Sequence, residues 1–418
     1  MPRSWLMVPL LALYVLDLGG VGFLSPDEPR YASIGREMAR SHDLITPRLD
    51  GKPWFEKPPL LYWMEAAGRT LGLRDEWAAR LPVTLMSIAF LFAFFGMLQR
   101  EFSAPVALYA TAILGTSAGW AVYSFAAVPD LPMTVCLMLA MWIALFDTRR
   151  EQGYVAGAWL GLSILAKGFV PVVLFAPLIL IARRKRLPIV AGCLLVAAPW
   201  HLWCWAKNGN VFWQDYLWKQ QVARFFSDSL QHQQPFWFYL PVMVAGLFPW
   251  IPLVGLLFRS KTFQDVRVGS LAMWCGYALL FFSAAKNKLP GYVLPLLPPL
   301  AIVFAVALDK AAEQMKWWVT ASVALLIALP AVVAILPEAI LNGVTHARIP
   351  FAPGIWFVAA APVVWWLAWR ERREWAMLAA AAAIMIGIGY VKLRTLPALD
   401  ERVSARGFWR AHSSEISQ

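Results

Sequence analysis

The chain has 418 residues, of which 60% are hydrophobic and only 15% charged, and its mean hydropathy is +0.57. That balance excludes a water-soluble globular protein and points to a chain that lives in a bilayer. The net charge of +12 therefore reads as cytoplasmic loops and contact with anionic lipid, not as a nucleic-acid surface. The 23 Trp suit membrane–water interfaces. Cys136, Cys193, Cys204 and Cys275 lie in apolar runs and are expected as small buried hydrophobes without a disulfide framework.

Apolar stretches of spanning character recur near 5–24, 81–98, 104–124, 129–147, 154–166, 168–182, 187–206, 239–258, 268–285, 292–308, 316–336, 354–369 and 376–392. They predict an all-α integral membrane protein with about thirteen transmembrane helices, several of them shorter than the ~20 residues of a perpendicular span. The first run has no small-residue cleavage site and is expected to stay as a helix. With the N-terminus in the cytoplasm, the inner loops carry Arg100, then Arg149 and Arg150, then Arg183 to Arg186, then Arg259, Lys261 and Arg267, then Lys310 and Lys316, then Arg370, Arg372 and Arg373. Each inner loop is basic, as the positive-inside rule requires. Lys286 and Lys288 fall on the outer side, where cations call for an anionic ligand.

Two long outer segments remain, 25–80 and 207–238. The first should hold interfacial helices, with Tyr31, Ile34 and Met38 on one face and a second helix over Leu60 to Leu71. Residues 1–392 are expected to form one transmembrane unit that includes both segments. Residues 393–418 are expected as a short outer tail with no separate soluble domain.

The chemistry-bearing residues crowd the stretch from Ser25 to Tyr62. Asp27, Glu28 and Arg30 follow the first apolar run, and Glu56 and Lys57 stand between aromatics and Pro58-Pro59. Carboxylates beside a membrane boundary cost little when they face water and much when they face lipid. Asp27 and Glu28 are therefore expected in a polar cavity, with Arg30 and Lys57 as partner cations. Prolines at 26, 29, 47, 53, 58 and 59 stiffen the segment more than a spacer needs.

PDEPRY at 26–31 and FEKPPLLYW at 55–63 resemble the first outer loop of polytopic glycosyltransferases that draw sugar from a polyprenyl phosphate. The bacterial aminoarabinose transferases of lipid A (ArnT-like) and, more distantly, the protein O-mannosyltransferases are the relatives in view. Further along, Arg224-Phe225, His232 and PFWFY at 235–239 are similar to that family's pattern, and KLPGYVLPLLPPLA at 288–301 carries its late motif.

The resemblance implies the GT-C fold, an inverting transfer and a set of site residues. Asp27 and Asp130 are the candidate catalytic carboxylates. Glu28, Arg30, Lys57, Lys167, Arg224, Lys286, Lys288 and Tyr292 are expected to bind substrate, the cations and Tyr292 at the carrier phosphate. Arg224 offers a planar fork that Lys cannot replace.

No metal motif of tight spacing occurs, and no cofactor is required. A divalent metal (zinc, magnesium or manganese) remains open, with Glu56 and His232 as the available ligands. Gln220 and Gln221 stand where relatives place an acid and a histidine. No GxSxG elbow, Walker loop or GxGxxG cradle appears, which argues against nucleotide chemistry.

The expected partners are a polyprenyl-phosphate sugar, a lipid or protein acceptor, and membrane lipids. The expected reaction lies on the outer face of a bacterial cytoplasmic membrane. Three readings are weighed: transfer to lipid A or another envelope glycolipid, O-glycosylation of protein, and a flippase of lipid-linked sugar. A transporter predicts inverted repeats and mid-membrane polar groups, whereas here the charges gather at one face.

Overall fold

The structure, a computed structural model, describes residues 8–24, 27–223, 234–258, 260–342, 354–402 and 406. Among the described residues each of the thirteen apolar stretches overlaps one or more helical elements. Six helices are long and apolar enough to cross a membrane, or up to eight if each bent pair is one span. The bent pairs are Ala104–Thr116 with Ala118–Ser124, at 65°, and Phe236–Leu247 with Ile251–Phe258, at 115°. The chain is a multi-pass membrane protein.

The first helix, α1 (Val8–Val15), ends earlier than its apolar run suggested. The chain leaves the helix at Leu16, where Asp17 takes a positive φ of 56° ahead of Gly19-Gly20. An Asp tolerates that conformation and the paired glycines do not sustain a helix. At the other end of the chain the final helix, Arg373–Arg402, runs ten residues past the expected boundary at 392.

Helices are present over both stretches expected to hold interfacial ones. In α2 (Asp27–Ser41) the side chains of Tyr31, Ile34 and Met38 are buried on one face. That face packs on α3 (Leu60–Thr70) and on α4 (Asp75–Glu101). Gly35 permits the approach, because a Cβ there would lie 2.6 Å from Glu65 Cβ. A two-stranded hairpin, Arg48–Leu49 with Lys52–Pro53, closes the loop between α2 and α3.

The middle of the chain builds a tight helical group. Gly153, Gly157 and Gly161 lie at four-residue spacing along α8 (Gln152–Lys167). A Cβ on Gly157 would meet the Ile189 carbonyl at 2.1 Å, so α10 (Arg186–Asn208) lies against bare backbone there. Small residues at this spacing let two helices approach closely inside a bilayer. On its other side α8 packs against α7 (Asp130–Phe146), and Ser163 Oγ donates to the Met133 carbonyl at 2.9 Å. The Pro290–Lys310 span is the innermost helix, with 89% of its apolar window buried.

Candidate active site

The site forms at one end of these elements. Gly168, at φ 89°, ends α8 and turns the chain into α9 (Val170–Ile181). A side chain at that φ would be strained, so the Lys-Gly pair fixes where Lys167 ends the helix. Pro129 precedes α7 and leaves Asp130 as its first residue. Lys167 forms a salt bridge with Asp130 and sits 4.7 Å from the ring centre of Tyr292. Asp130 therefore serves as the partner of Lys167, not as a cap for its own helix.

The 290–296 turn reaches Asp130 because residue 291 is glycine. A Cβ there would stand 2.3 Å from Asp130 Oδ1 and 2.7 Å from the Tyr123 hydroxyl.

A second charged group comes from residues 27–57. Arg30 forms a salt bridge with Asp27 and lies 3.4 Å from Glu56; Lys57 Nζ lies 3.5 Å from the other oxygen of Glu56. The Arg30 guanidinium also lies over Tyr31 and Trp54, at 5.5 and 5.9 Å. Tyr31 is buried beneath this cluster. Burial, then the negative charge of Glu56 and Asp27, pushes its hydroxyl well above the ordinary range, so it stays protonated.

The loop is held in place by aromatics of α10 and of the residues that follow it. Phe55 meets Phe212 edge-on at 5.2 Å, Phe212 stacks on Tyr216 at 5.2 Å, and His201 Nε2 is 3.1 Å from the Tyr216 hydroxyl. Trp200 Nε1 donates to the Ile45 carbonyl at 2.9 Å.

The two groups meet in one cleft of about 70 Å³. Lys57, Lys167, Asn287, Gln220 and Tyr292 supply its polar lining, and Met133, Val170, Phe281 and Phe282 its apolar wall. The pattern is of two arms: Asp27, Arg30, Glu56 and Lys57 form one, Asp130 and Lys167 the other. Each arm ends in a lysine that lines the cleft. Two ammonium groups and a phenol beside an apolar wall suit a phosphate attached to a hydrocarbon chain.

Several expected site residues fall elsewhere. Glu28 is 4% exposed and turns away from the cleft into a salt bridge with Arg80. Lys288 is also buried; its ammonium donates to the carbonyls of Ala285 at 2.5 Å and Gln234 at 3.0 Å. It holds the turn, and its neighbour Asn287 faces the cleft instead. Burial lowers the Lys288 ammonium below the ordinary lysine range. Lys286 is exposed next to it.

Arg224 and His232 lie outside the described residues. Glu56 does not fit a metal ligand here, since two cations flank its carboxylate and would repel a divalent ion. Among the described residues no three of His, Cys, Asp and Glu gather around a common point.

Sequence reasoning missed Arg80, just ahead of an apolar run, Tyr123, inside one, and Phe212 and Tyr216, in a segment without regular periodicity. An arginine near the start of an apolar span was the one usable signal.

The family model described as dolichyl-phosphate-mannose-protein mannosyltransferase matches residues 56–203. The chain is 32% identical over 333 residues to an undecaprenyl phosphate-alpha-4-amino-4-deoxy-L-arabinose arabinosyl transferase 2 of Pseudomonas fluorescens, covering 74% of this chain and 60% of that protein. It is 30% identical over 423 residues to the corresponding transferase of Pectobacterium carotovorum, covering 92% of this chain and 75% of that protein. The chain thus spans about 60% of the length of the Pseudomonas relative.

The fold is similar to a crystal structure of ArnT from Cupriavidus metallidurans bound to undecaprenyl phosphate, with a TM-score of 0.76 and 23% identity over 96% of this chain and 78% of that one. An apo oligosaccharyltransferase of Archaeoglobus fulgidus shares the fold more loosely, with a TM-score of 0.51 and 12% identity over 91% of this chain and 56% of that one.

Proposed function

The chain belongs to the family of undecaprenyl phosphate-4-amino-4-deoxy-L-arabinose arabinosyl transferases, and from that membership we propose that it moves a sugar from undecaprenyl phosphate to an acceptor of the cell envelope. The sugar by this reading is a pentose of the aminoarabinose type, and the acceptor is lipid A or another glycolipid. The unit is residues 1–392 with thirteen spans, its N-terminus in the cytoplasm of a bacterial inner membrane. Segments 25–80, 207–238 and the 393–418 tail lie outside, so the site faces the periplasm or exterior.

One observation carries the reading. Lys57 from the first loop, Lys167 from the end of α8 and Tyr292 from the late motif line one cleft at one end of the bundle. The bond from the anomeric carbon to the carrier phosphate breaks, and its electron pair goes to the phosphate. Lys57 and Lys167 offset the charge that grows there, and Tyr292 donates a hydrogen bond to it. The acceptor oxygen forms the new bond from the opposite face of the sugar, giving inversion without a covalent enzyme intermediate. A hydroxyl acceptor passes its proton to a carboxylate. Asp27 is the first choice, since its side chain is 41% exposed and open to an incoming group. Asp130, at 13%, is the second. A phosphate acceptor needs no base, and Asp27 then orients the sugar. No step is routed through a metal.

The match of residues 56–203 to the mannosyltransferase model favours protein O-glycosylation as the second reading. A flippase is the third. Purified protein given radiolabelled undecaprenyl-phosphate aminoarabinose and inner-membrane lipid extract separates them. Label appearing in lipid other than the carrier supports the proposal. Label in protein replaces it with the second reading, and label that crosses the bilayer still on its carrier replaces it with the third.

A further inference from the structure

Behind the donor cleft lies a small apolar cluster of its own. Phe55, Leu165, Trp200, Phe212 and Tyr216 are buried in it, and Phe169 packs against them. Phe55 stands two residues before Lys57, Leu165 and Phe169 stand two residues either side of Lys167, and Tyr216 stands four residues before Gln220. Lys57, Lys167 and Gln220 all line the cleft. Three parts of the chain that supply polar groups to the cleft are thus rooted in one cluster.

One polar side chain sits among these rings. His201 of α10 is 6% exposed, with the ring centres of Trp200, Tyr216 and Phe169 at 4.9, 5.4 and 5.7 Å. Its Nδ1 lies 2.7 Å from the Ala197 carbonyl and its Nε2 lies 3.1 Å from the Tyr216 hydroxyl. A carbonyl only accepts, so Nδ1 carries the proton and Nε2 accepts from Tyr216. Both ring nitrogens are satisfied, as a buried polar group requires. Ring packing by itself needs no imidazole. Stacked rings leave freedom to slide, whereas a hydrogen bond fixes distance and direction. Tyr216 is the ring that reaches both ways. It stacks on Phe212 with the planes 9° apart, and Phe212 meets Phe55 edge-on; on its other side it lies 6.0 Å from Phe169.

We propose that His201 is a positioning residue for the carrier phosphate: its bond to Tyr216 sets the spacing of Lys57 and Lys167 across the cleft. The inference rests on the transferase reading and adds to it a residue that acts through others. The salt bridges to Glu56 and Asp130 hold each lysine within its own arm, and the rings behind hold the arms to each other. Two ammonium groups grip one phosphate only when both reach it at about 2.8 Å. A displacement of about 1 Å between the arms is therefore costly.

The test measures binding of undecaprenyl phosphate to full-length protein in nanodiscs. Tyr216→Phe removes one hydroxyl and His201→Phe removes both ring nitrogens; each should weaken binding at least fivefold. His201→Gln, whose amide can stand in for Nε2, should return binding to within twofold of wild type. The same Tyr216→Phe change made in Lys57→Ala protein should add less than twofold, because spacing no longer matters once one lysine is gone. A merely structural loss would lower binding by the same factor in both backgrounds, and that result overturns the proposal. Wild-type binding in folded Tyr216→Phe also overturns it, and this milder variant keeps the test decisive if His201→Phe folds poorly. Wild-type protein that binds no undecaprenyl phosphate overturns the transferase reading and the positioning role with it, a result distinct from either of the others.

Discussion

Glu28 binds Arg80 through both carboxylate oxygens, at 3.1 Å from Nε and 2.8 Å from Nη2. The pair does more than neutralise itself. Arg80 also donates to the carbonyls of Leu18, Val21 and Gly22, and Glu28 accepts from the backbone amides of Leu24 and Ala127. Glu28 follows Asp27 directly, and Ala127 stands three residues before Asp130. One buried pair therefore sets the positions of both candidate catalytic carboxylates.

The first prediction concerns that pair. Removing one partner of a buried salt bridge leaves the other charge uncompensated, at about 3–5 kcal/mol. Glu28→Gln and Arg80→Met should each lower the thermal midpoint in detergent by many degrees. Arg80→Lys should rescue little, since an ammonium lacks the fork that reaches Glu28 and the carbonyls together. Wild-type midpoints in these variants would show that the pair does not hold the loop.

Asp27→Asn keeps size and removes charge. Activity should fall about a hundredfold or more, as losses of a general base do. The thermal midpoint should move little, because a carboxylate this exposed contributes modestly to folding. Full activity would move the base to Asp130.

Gly291→Ala tests the contact between the late motif and Asp130. The added methyl would stand 2.3 Å from Asp130 Oδ1, so either the turn or the carboxylate must shift. Sugar transfer should drop at least tenfold while folded yield is kept, since small misplacements of catalytic groups are costly. Unchanged turnover with an unchanged KM for donor would show that the Asp130 position is not critical.

Glu65 offers a pH test. It is buried between α2 and α3, and among the described residues its carboxyl oxygens have no hydrogen-bond partner. Burial, then the nearby charge of Glu28, raises it well above the ordinary 4.5. A raised folded value means that the folded state binds the proton more tightly than the unfolded state. Stability from this group is then fully present below about pH 4.5 and declines as pH rises toward the folded value, by at most roughly 1.4 kcal/mol per pH unit. Glu65→Gln, neutral and of similar shape, should flatten that decline. Thermal midpoints across pH 5 to 9 check it, and parallel curves for the two proteins would refute the assignment.

The sequence alone determined the helical membrane class, the helices over α2 and α3, and the buried face of α2. Those features follow from hydropathy, 3.6-residue periodicity and charge at segment ends, which are local. Lys57, Lys167 and Tyr292 were legible because charged or polar groups at a membrane boundary need a reason. Only the tertiary structure decided which of two adjacent acids joins the Arg30 cluster and which is buried against Arg80. Asp27 and Glu28 are chemically alike, and the choice turns on Arg80, fifty-two residues beyond Glu28. It also decided that Lys288 clamps a turn while Asn287 lines the cleft, because a lysine's role depends on which carbonyls the fold brings within reach. Partners distant in the chain become neighbours only when helices pack, and no local pattern records that meeting.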